Sequence, residues 1–166
     1  MLSESVQAKL NEQIQKEAFA SNAYLAMATW AERENLPNIA EYLYNSAEEE
    51  REHMLQIYKY INANGGQAHL ENKLDKPKEK FKNVLDVFQT VYDLECSVSR
   101  AINELATWCL QNGEHATYFF LQPFVLEQQE AERKVSDIIV FIERMGHEPR
   151  QLFYLDKQFK KFNEQP

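Results

Sequence analysis

The sequence has little of the material from which tight turns and disulfide frameworks are made. It contains 4 glycines, 5 prolines and 2 cysteines among 166 residues. So few turn residues exclude a sandwich or barrel of many short strands, and two cysteines exclude a disulfide scaffold. Nowhere do about 18 apolar residues run together, as a membrane-spanning helix requires, and the first residues lack the basic and apolar segments of a signal peptide. We therefore expect a soluble, cytoplasmic protein without a membrane partner.

Positive charge is also in short supply. The chain has 18 lysines and arginines against 26 aspartates and glutamates, a formal net charge of -8. This sign is opposite to that of proteins that bind the phosphates of nucleic acids or anionic membrane surfaces. We therefore expect no nucleic-acid partner, and cations are the better-suited ligands.

Helix-forming material is abundant instead. Hydrophobic residues make up 44% of the chain and charged residues 27%, and the apolar positions recur at intervals of three and four, as in amphipathic helices. The pattern predicts four long helices and a short one, over residues 5–34, 38–64, 81–111, 114–145 and 150–162. A chain of this length supports one domain, which we assign to residues 1–166.

Residues 65–80 form the only long connection between the predicted helices. The segment is polar, contains Pro77 and has no sustained period. Fully extended, it reaches up to about 50 Å, whereas the second helix is roughly 40 Å long. The other junctions between long helices are short and force antiparallel neighbours. The predicted fold is an all-α four-helix bundle, in which one long crossover joins two hairpins and a short fifth C-terminal helix follows.

Acidic residues and a histidine interrupt the apolar stripes of three helices. Glu17 lies in the first helix, Glu50 and His53 in the second, and Glu95 in the third. An unpaired buried carboxylate costs many kcal/mol, and no lysine or arginine occupies these stripes. A metal ion such as iron, manganese or zinc would compensate the charge, because oxygen and imidazole ligands suit these metals. The alternative is a hydrogen-bonded network of protonated acids around a structural histidine.

With these residues on a crossover bundle, the sequence resembles the ferritin family, specifically the bacterial haem-free ferritins. The resemblance covers essentially the whole chain and includes the segment Leu10-Asn11-Glu12-Gln13-Ile14 and the acidic run over residues 48–53. It implies an iron-storage protein with a di-iron ferroxidase centre in each subunit, which uses O2 or H2O2 to convert Fe2+ to Fe3+. It also implies a hollow homo-oligomeric shell, a 24-mer, that stores ferric mineral.

The resemblance assigns roles to the residues of the stripes. Glu17 and His53 would hold the first iron, Glu50 would bridge both irons, and Glu95 would hold the second. Gln128, on the fourth helix, would lie close enough to the second iron to offer a weak carbonyl ligand or bind a water molecule.

Further residues match positions around the centre. Tyr24 would lie beside it and donate an electron or a hydrogen bond, although simple core packing explains a tyrosine there equally well. Glu49, Glu127 and Glu130 would form a third iron site, with a solvated helix face as the alternative. Ala131 stands where several bacterial ferritins have a further glutamate, so the second iron lacks one ligand here.

Related functions with other requirements fit less well. The haem methionine of bacterioferritins directly follows the second-helix glutamate, where this chain has Arg51, so no haem is expected. A peroxidase or oxidase of the rubrerythrin type needs paired Cys-x-x-Cys motifs, and neither Cys96 nor Cys109 has a partner at that spacing. A metal-free helical interaction module remains as an alternative, but it leaves the acids of the core stripes unexplained.

Overall fold

The computed structural model describes residues 2–70, 73–146 and 148–164. Within these ranges the chain forms helices and no strands. The helices are α1 (Glu4–Arg33), α2 (Pro37–Ala63), α3 (Val84–Gln111), α4 (His115–Met145) and α5 (Pro149–Asn163). The all-α prediction is confirmed. None of the described helices is long and apolar enough to cross a membrane.

The third helix begins later than the periodicity predicts, at Val84 instead of Phe81. The side chain of Asn83 accepts a hydrogen bond from the backbone N–H of Asp86 at 2.9 Å, and the Asp86 carboxylate accepts one from the N–H of Lys82. The first bond satisfies a donor that a helix leaves free in its first turn, and the second ties the residue before the N-cap to that turn. A pattern of apolar residues does not detect such a cap, because the cap is made by polar side chains.

The four long helices form two antiparallel hairpins, α1 with α2 and α3 with α4, and α1 packs against α3. Short turns close the hairpins at Asn35 and Gly113, whose φ angles of 58° and 74° lie in the left-handed region that asparagine and glycine tolerate. The crossover is tied back to α1 by Asn11, whose side chain donates to the carbonyl of Gln67 and accepts from the N–H of His69. The predicted bundle with one crossover is confirmed.

Helix α5 packs mainly against α2 and also contacts α4. Its Asp156 carboxylate accepts hydrogen bonds from the backbone N–H groups of Asn38 and Ile39, both at 3.0 Å. Leu36 occupies the N-cap position of α2 and has no polar side chain to satisfy these donors. The predicted fifth helix therefore contributes the acceptor that caps the second.

The buried apolar side chains fall into two clusters, one toward each end of the bundle. One cluster contains Leu43 and Phe88, and the other contains Ile57 and Ile102. The boundary between the clusters is occupied by buried polar residues from all four long helices: Glu17, Glu50, Glu95 and Gln128. The fold therefore brings the polar positions of the core stripes to one level, in the middle of the bundle.

Candidate metal centre

Glu17, Glu50 and His53 converge at this polar level. Glu17 comes from α1, while Glu50 and His53 lie three residues apart on α2 and so share one helix face. One ligand atom of each residue lies within 4.8 Å of the other two. Both carboxylates are buried, with exposed fractions of 1% for Glu17 and 4% for Glu50. Two carboxylates and one imidazole form a donor set that suits a transition-metal ion.

Each of these two carboxylates has an oxygen available for a ligand. Among the described residues, Oε2 of Glu17 and Oε2 of Glu50 find no hydrogen-bond partner. Leaving a buried acceptor without a donor costs about 1–3 kcal/mol, and more when the acceptor is charged. His53 Nδ1 lies 3.8 Å from Oε2 of Glu50. A cation between these atoms would remove the cost, so the residues present fit a metal ion.

The other ring nitrogen of His53 faces α4. Nε2 lies 3.0 Å from Oε2 of Glu127. A carboxylate oxygen accepts a hydrogen bond here only when Nε2 carries the hydrogen, and that tautomer leaves the lone pair on Nδ1, the nitrogen nearer Glu50. Glu127 was predicted only for a third iron site, but the structure brings it into contact with His53, which was predicted to hold the first iron.

Glu95 lies in a different environment from Glu17 and Glu50. Its Oε1 accepts a hydrogen bond from the hydroxyl of Tyr24, and its Oε2 accepts one from Nε2 of Gln128 at 2.9 Å. The same Nε2 lies 3.4 Å from the Glu95 backbone oxygen, so two acceptors hold the amide in this orientation. The residues predicted around the second iron are therefore brought together, but as a closed hydrogen-bonded group.

The electrostatics of the centre favour bound protons when no metal is present. Burial raises the pKa of Glu17 well above its usual value, and the neighbouring Glu50 raises it further. Burial likewise raises the pKa of Glu50 to about 8, with repulsion from Glu95 and Glu49 adding to the rise. Burial also raises the pKa of Glu95, although hydrogen bonds from Tyr24 and Gln128 oppose the change. A metal ion would displace these protons.

Burial acts on Tyr24 in the same direction. It raises the pKa of the Tyr24 hydroxyl well above the usual value, and the charge of Glu95 raises it further. The hydroxyl therefore keeps its hydrogen at neutral pH and donates it to Glu95. Core packing with a satisfied hydroxyl would give the same contact, so the role predicted for Tyr24 stays a prediction.

A cavity of about 390 Å³ connects the centre with the face of the bundle formed by α2 and α4. Glu50, His53 and Glu95 line it together with the acids predicted for a third site, Glu49, Glu127 and Glu130. Those three acids are exposed, and among the described residues they do not converge as closely as Glu17, Glu50 and His53 do. The third site therefore stays a prediction.

Sequence reasoning missed several residues that contact or line the centre, among them Gln13 and Lys134. Gln13 donates a hydrogen bond to Glu17 at 2.7 Å, and the interval of four residues between them on one helix was the available signal. Lys134 lines the same cavity as the acids, with its Nζ 5.6 Å from the centre of the Tyr42 ring. Nothing in the periodicity distinguishes Lys134 from an ordinary surface lysine.

Comparison with known proteins agrees with this geometry. A family model described as a ferritin-like domain matches residues 7–145. The bacterial non-heme ferritin of Campylobacter jejuni is 34% identical over 160 residues, 96% of this chain and 95% of that protein. That of Staphylococcus epidermidis is 34% identical over 167 residues, 99% of this chain and 100% of that protein. An open pore ferritin from the hyperthermophilic archaeon Archaeoglobus fulgidus superimposes with a TM-score of 0.91 at 30% identity, covering 95% of this chain and 96% of that one.

Proposed function

Because the chain belongs to the ferritin family, we propose that it oxidises Fe2+ at the centre between its four long helices and stores the product as ferric mineral inside a cage. The observation that carries this proposal is the convergence of Glu17, Glu50 and His53, with two buried carboxylate oxygens that lack a donor among the described residues. Iron is the substrate of the reaction and is not a permanent cofactor.

The ligand set explains why oxidation would be favoured. Glu17, Glu50 and His53 would hold one Fe2+, and Glu50 and Glu95 would share a second. Anionic oxygen ligands lower the energy of a trivalent ion more than that of a divalent one. Two Fe2+ ions would each lose one electron, and O2 would take up both electrons and two protons to become H2O2. With H2O2 as the oxidant, the same two electrons and two protons would yield two molecules of water.

The chain contributes position and charge to this reaction. Buried side chains from different helices would hold two iron ions close together once the Gln128 amide has turned away from Glu95, and a two-electron reaction needs this proximity. Protons released from Glu17 and Glu50 on metal binding would be available near the oxidant. Tyr24 would hold Glu95 through its hydroxyl, and a redox role for the same group belongs to this proposal.

The product would then move along the cavity. Ala131 provides no carboxylate at the second position, so Fe3+ would be held less tightly there than at the first. Glu49, Glu127 and Glu130 line the same cavity and would offer oxygen ligands on the way to the mineral. On this proposal the centre turns over and does not retain its iron.

Exposed apolar side chains support assembly into the proposed cage of 24 subunits. Phe119 and Leu126 are 69% and 66% exposed and lie two turns apart on α4. Phe153 on α5 is 57% exposed. Large apolar side chains in such positions commonly mark subunit contacts. Native mass spectrometry would test the number of subunits directly.

The oxidation step is tested by stopped-flow absorbance after aerobic addition of Fe2+. We expect His53→Ala and Glu50→Ala to assemble normally but to lose fast oxidation. His115→Ala is the matched control, since His115 is exposed at the beginning of α4. Rates like those of the unmodified protein in both site variants would contradict the proposed centre.

A further inference from the structure

Gln13 is a buried polar residue that has no place in the proposed ligand set. It is 2% exposed and lies on α1, four residues before Glu17 and on the same face. Its side chain lines a cleft of about 270 Å³ between α1 and α3, which Lys16 and Trp108 also line. This cleft lies on a different side of the bundle from the cavity between α2 and α4. A buried amide in such a position requires a specific polar partner.

The partner of Gln13 is the carboxylate of Glu17. Nε2 of Gln13 donates to Oε1 of Glu17 at 2.7 Å, and both side chains are buried. Once a metal ion has displaced the proton of Glu17, the acceptor of this bond is charged; such hydrogen bonds are among the strong ones, and a low dielectric strengthens them. In that state the opposite amide orientation would place an oxygen against the ionised carboxylate, so the attraction also determines which amide atom faces Glu17.

The two oxygens of Glu17 therefore have different roles. Gln13 holds Oε1, whereas no donor from residues 2–70, 73–146 or 148–164 reaches Oε2. Glu17 is also the α1 member of the converging group with Glu50 and His53. A hydrogen bond to one oxygen restricts rotation of the carboxylate, so the direction in which the other oxygen points is also fixed.

We propose that Gln13 is a positioning residue for the first iron: by holding Oε1 of Glu17, it presents Oε2 to the cation shared with Glu50 and His53. The inference rests on the proposed function of this centre. Donors that orient a metal ligand commonly contribute about 10–100-fold to metal affinity. Without the donor, the Glu17 carboxylate would rotate more freely. Cation binding would then carry the entropy cost of ordering that side chain.

The effect should appear in binding and not only in turnover. Co2+ is a suitable probe, because it binds oxygen and nitrogen ligands, is not oxidised under these conditions and has an absorption spectrum that reports ligand geometry. We expect Gln13→Met to weaken Co2+ binding at the first position roughly 10-fold and to change the visible spectrum. With Fe2+ as substrate, KM should rise more than kcat falls, since the ligands themselves are retained.

Asn11 provides a matched control on the same helix. It is also a buried amide, at 4% exposed, but its side chain bonds the backbone of Gln67 and His69 in the crossover. Asn11→Leu should lower thermal stability while leaving Co2+ affinity and spectrum unchanged. Gln13→Asn is the second test variant, because its amide is one methylene too short to keep the bond, and we expect the same weakening as in Gln13→Met.

The outcomes separate the inference from the function on which it rests. Unchanged Co2+ affinity and spectrum in a folded Gln13→Met or Gln13→Asn protein would overturn the positioning role, as would equal weakening in Asn11→Leu. Failure of both Gln13 variants to fold, while Asn11→Leu folds, would also overturn it by making Gln13 structural. If the unmodified protein bound Co2+ no better than His53→Ala, the proposed centre itself would fail.

Discussion

Glu17 and Glu95 face the same centre, but their carboxylates differ in hydrogen bonding. Both oxygens of Glu95 accept hydrogen bonds, from Tyr24 and from Gln128. Glu17 accepts one from Gln13, and within the described parts of the chain its second oxygen has no partner. On the proposed function, the first metal position therefore has a carboxylate oxygen without a hydrogen-bond donor, whereas the second would require the Gln128 amide to turn away.

This difference predicts that the two positions fill in order. Zn2+, which undergoes no redox change, should occupy the position at Glu17, Glu50 and His53 first and the position at Glu95 only at higher concentration. Anomalous diffraction from crystals soaked at graded Zn2+ concentrations would measure both occupancies. Glu95→Gln should abolish the second occupancy and keep the first. Equal occupancy of both positions at the lowest concentration would contradict the ordering.

The raised pKa of Glu50 predicts how the stability of the metal-free protein depends on pH. The folded state holds a proton up to about pH 8, whereas the unfolded chain releases it near the ordinary glutamate pKa of about 4.3. The stabilising contribution is therefore fully present below the unfolded pKa and is lost as pH rises through about 8. Thermal unfolding of metal-free protein between about pH 5 and 9 would measure the decline.

Glu50→Gln tests the origin of that decline. Because the amide does not titrate, this variant should lose stability less steeply as pH rises, and addition of Zn2+ should stabilise it less than the unmodified protein. Metal binding to the unmodified protein should also release protons, which calorimetry in two buffers of different ionisation enthalpy would detect. A variant with an unchanged pH profile would rule out Glu50 as the cause.

Asp156 provides a prediction about the fold alone. Removing its carboxylate leaves the first N–H groups of α2 without the acceptor that α5 supplies. Asp156→Ala should therefore destabilise the protein by about 0.5–2 kcal/mol, the range for loss of a helix cap. The exposed Asp137, which pairs with Arg133 on its own helix, is the matched control and its replacement should have little effect. Thermal unfolding monitored by circular dichroism would compare the two alanine variants.

Glu127 could orient His53 or serve a third iron site, and one pair of variants separates these two roles. Glu127→Gln keeps an acceptor oxygen for His53 Nε2 but removes a charge, whereas Glu127→Ala removes both. We expect Glu127→Ala to weaken Co2+ binding at the first position, and Glu127→Gln to leave it nearly unchanged. If Glu127 serves only a third iron site, both variants should instead leave the first position intact and reduce total iron uptake equally.

Much of the fold could be predicted from the spacing of apolar residues, and much of the centre from the polar residues that interrupt that spacing. The four-helix architecture was predictable because apolar residues at intervals of three and four leave few alternatives. Glu17, Glu50 and Glu95 stood out because a carboxylate in an apolar stripe demands compensation. Their convergence at one level, however, depends on the register between helices, which no single-helix pattern contains.

Two of the features that sequence reasoning missed are pairwise contacts between distant segments. Asp156 caps a helix that begins more than 100 residues earlier in the chain, and Glu127 meets His53 across the bundle. Both are acids on amphipathic helices, where a solvated face is the ordinary explanation. Only the three-dimensional packing distinguishes a capping or orienting acid from a surface one.

Ala131 determines how many carboxylates surround the proposed second metal position. Ala131 lines the cavity together with Glu95 and Gln128, so a glutamate introduced there would lie near the second position. An added anionic oxygen stabilises Fe3+ more than Fe2+. Ala131→Glu should therefore raise iron occupancy at the second position and slow the release of oxidised iron after the first turnover.

Two measurements on Ala131→Glu would check this result. Anomalous diffraction from iron-soaked crystals would give the occupancies, and repeated additions of Fe2+ followed by stopped-flow absorbance would give the recovery of the initial rate. We expect the unmodified protein to recover its rate between additions and the variant to recover more slowly, because iron retained at Glu95 blocks the next pair of ions. Equal and full occupancy of both positions in the unmodified protein, unaltered by the added glutamate, would mean that the missing carboxylate has no part in turnover.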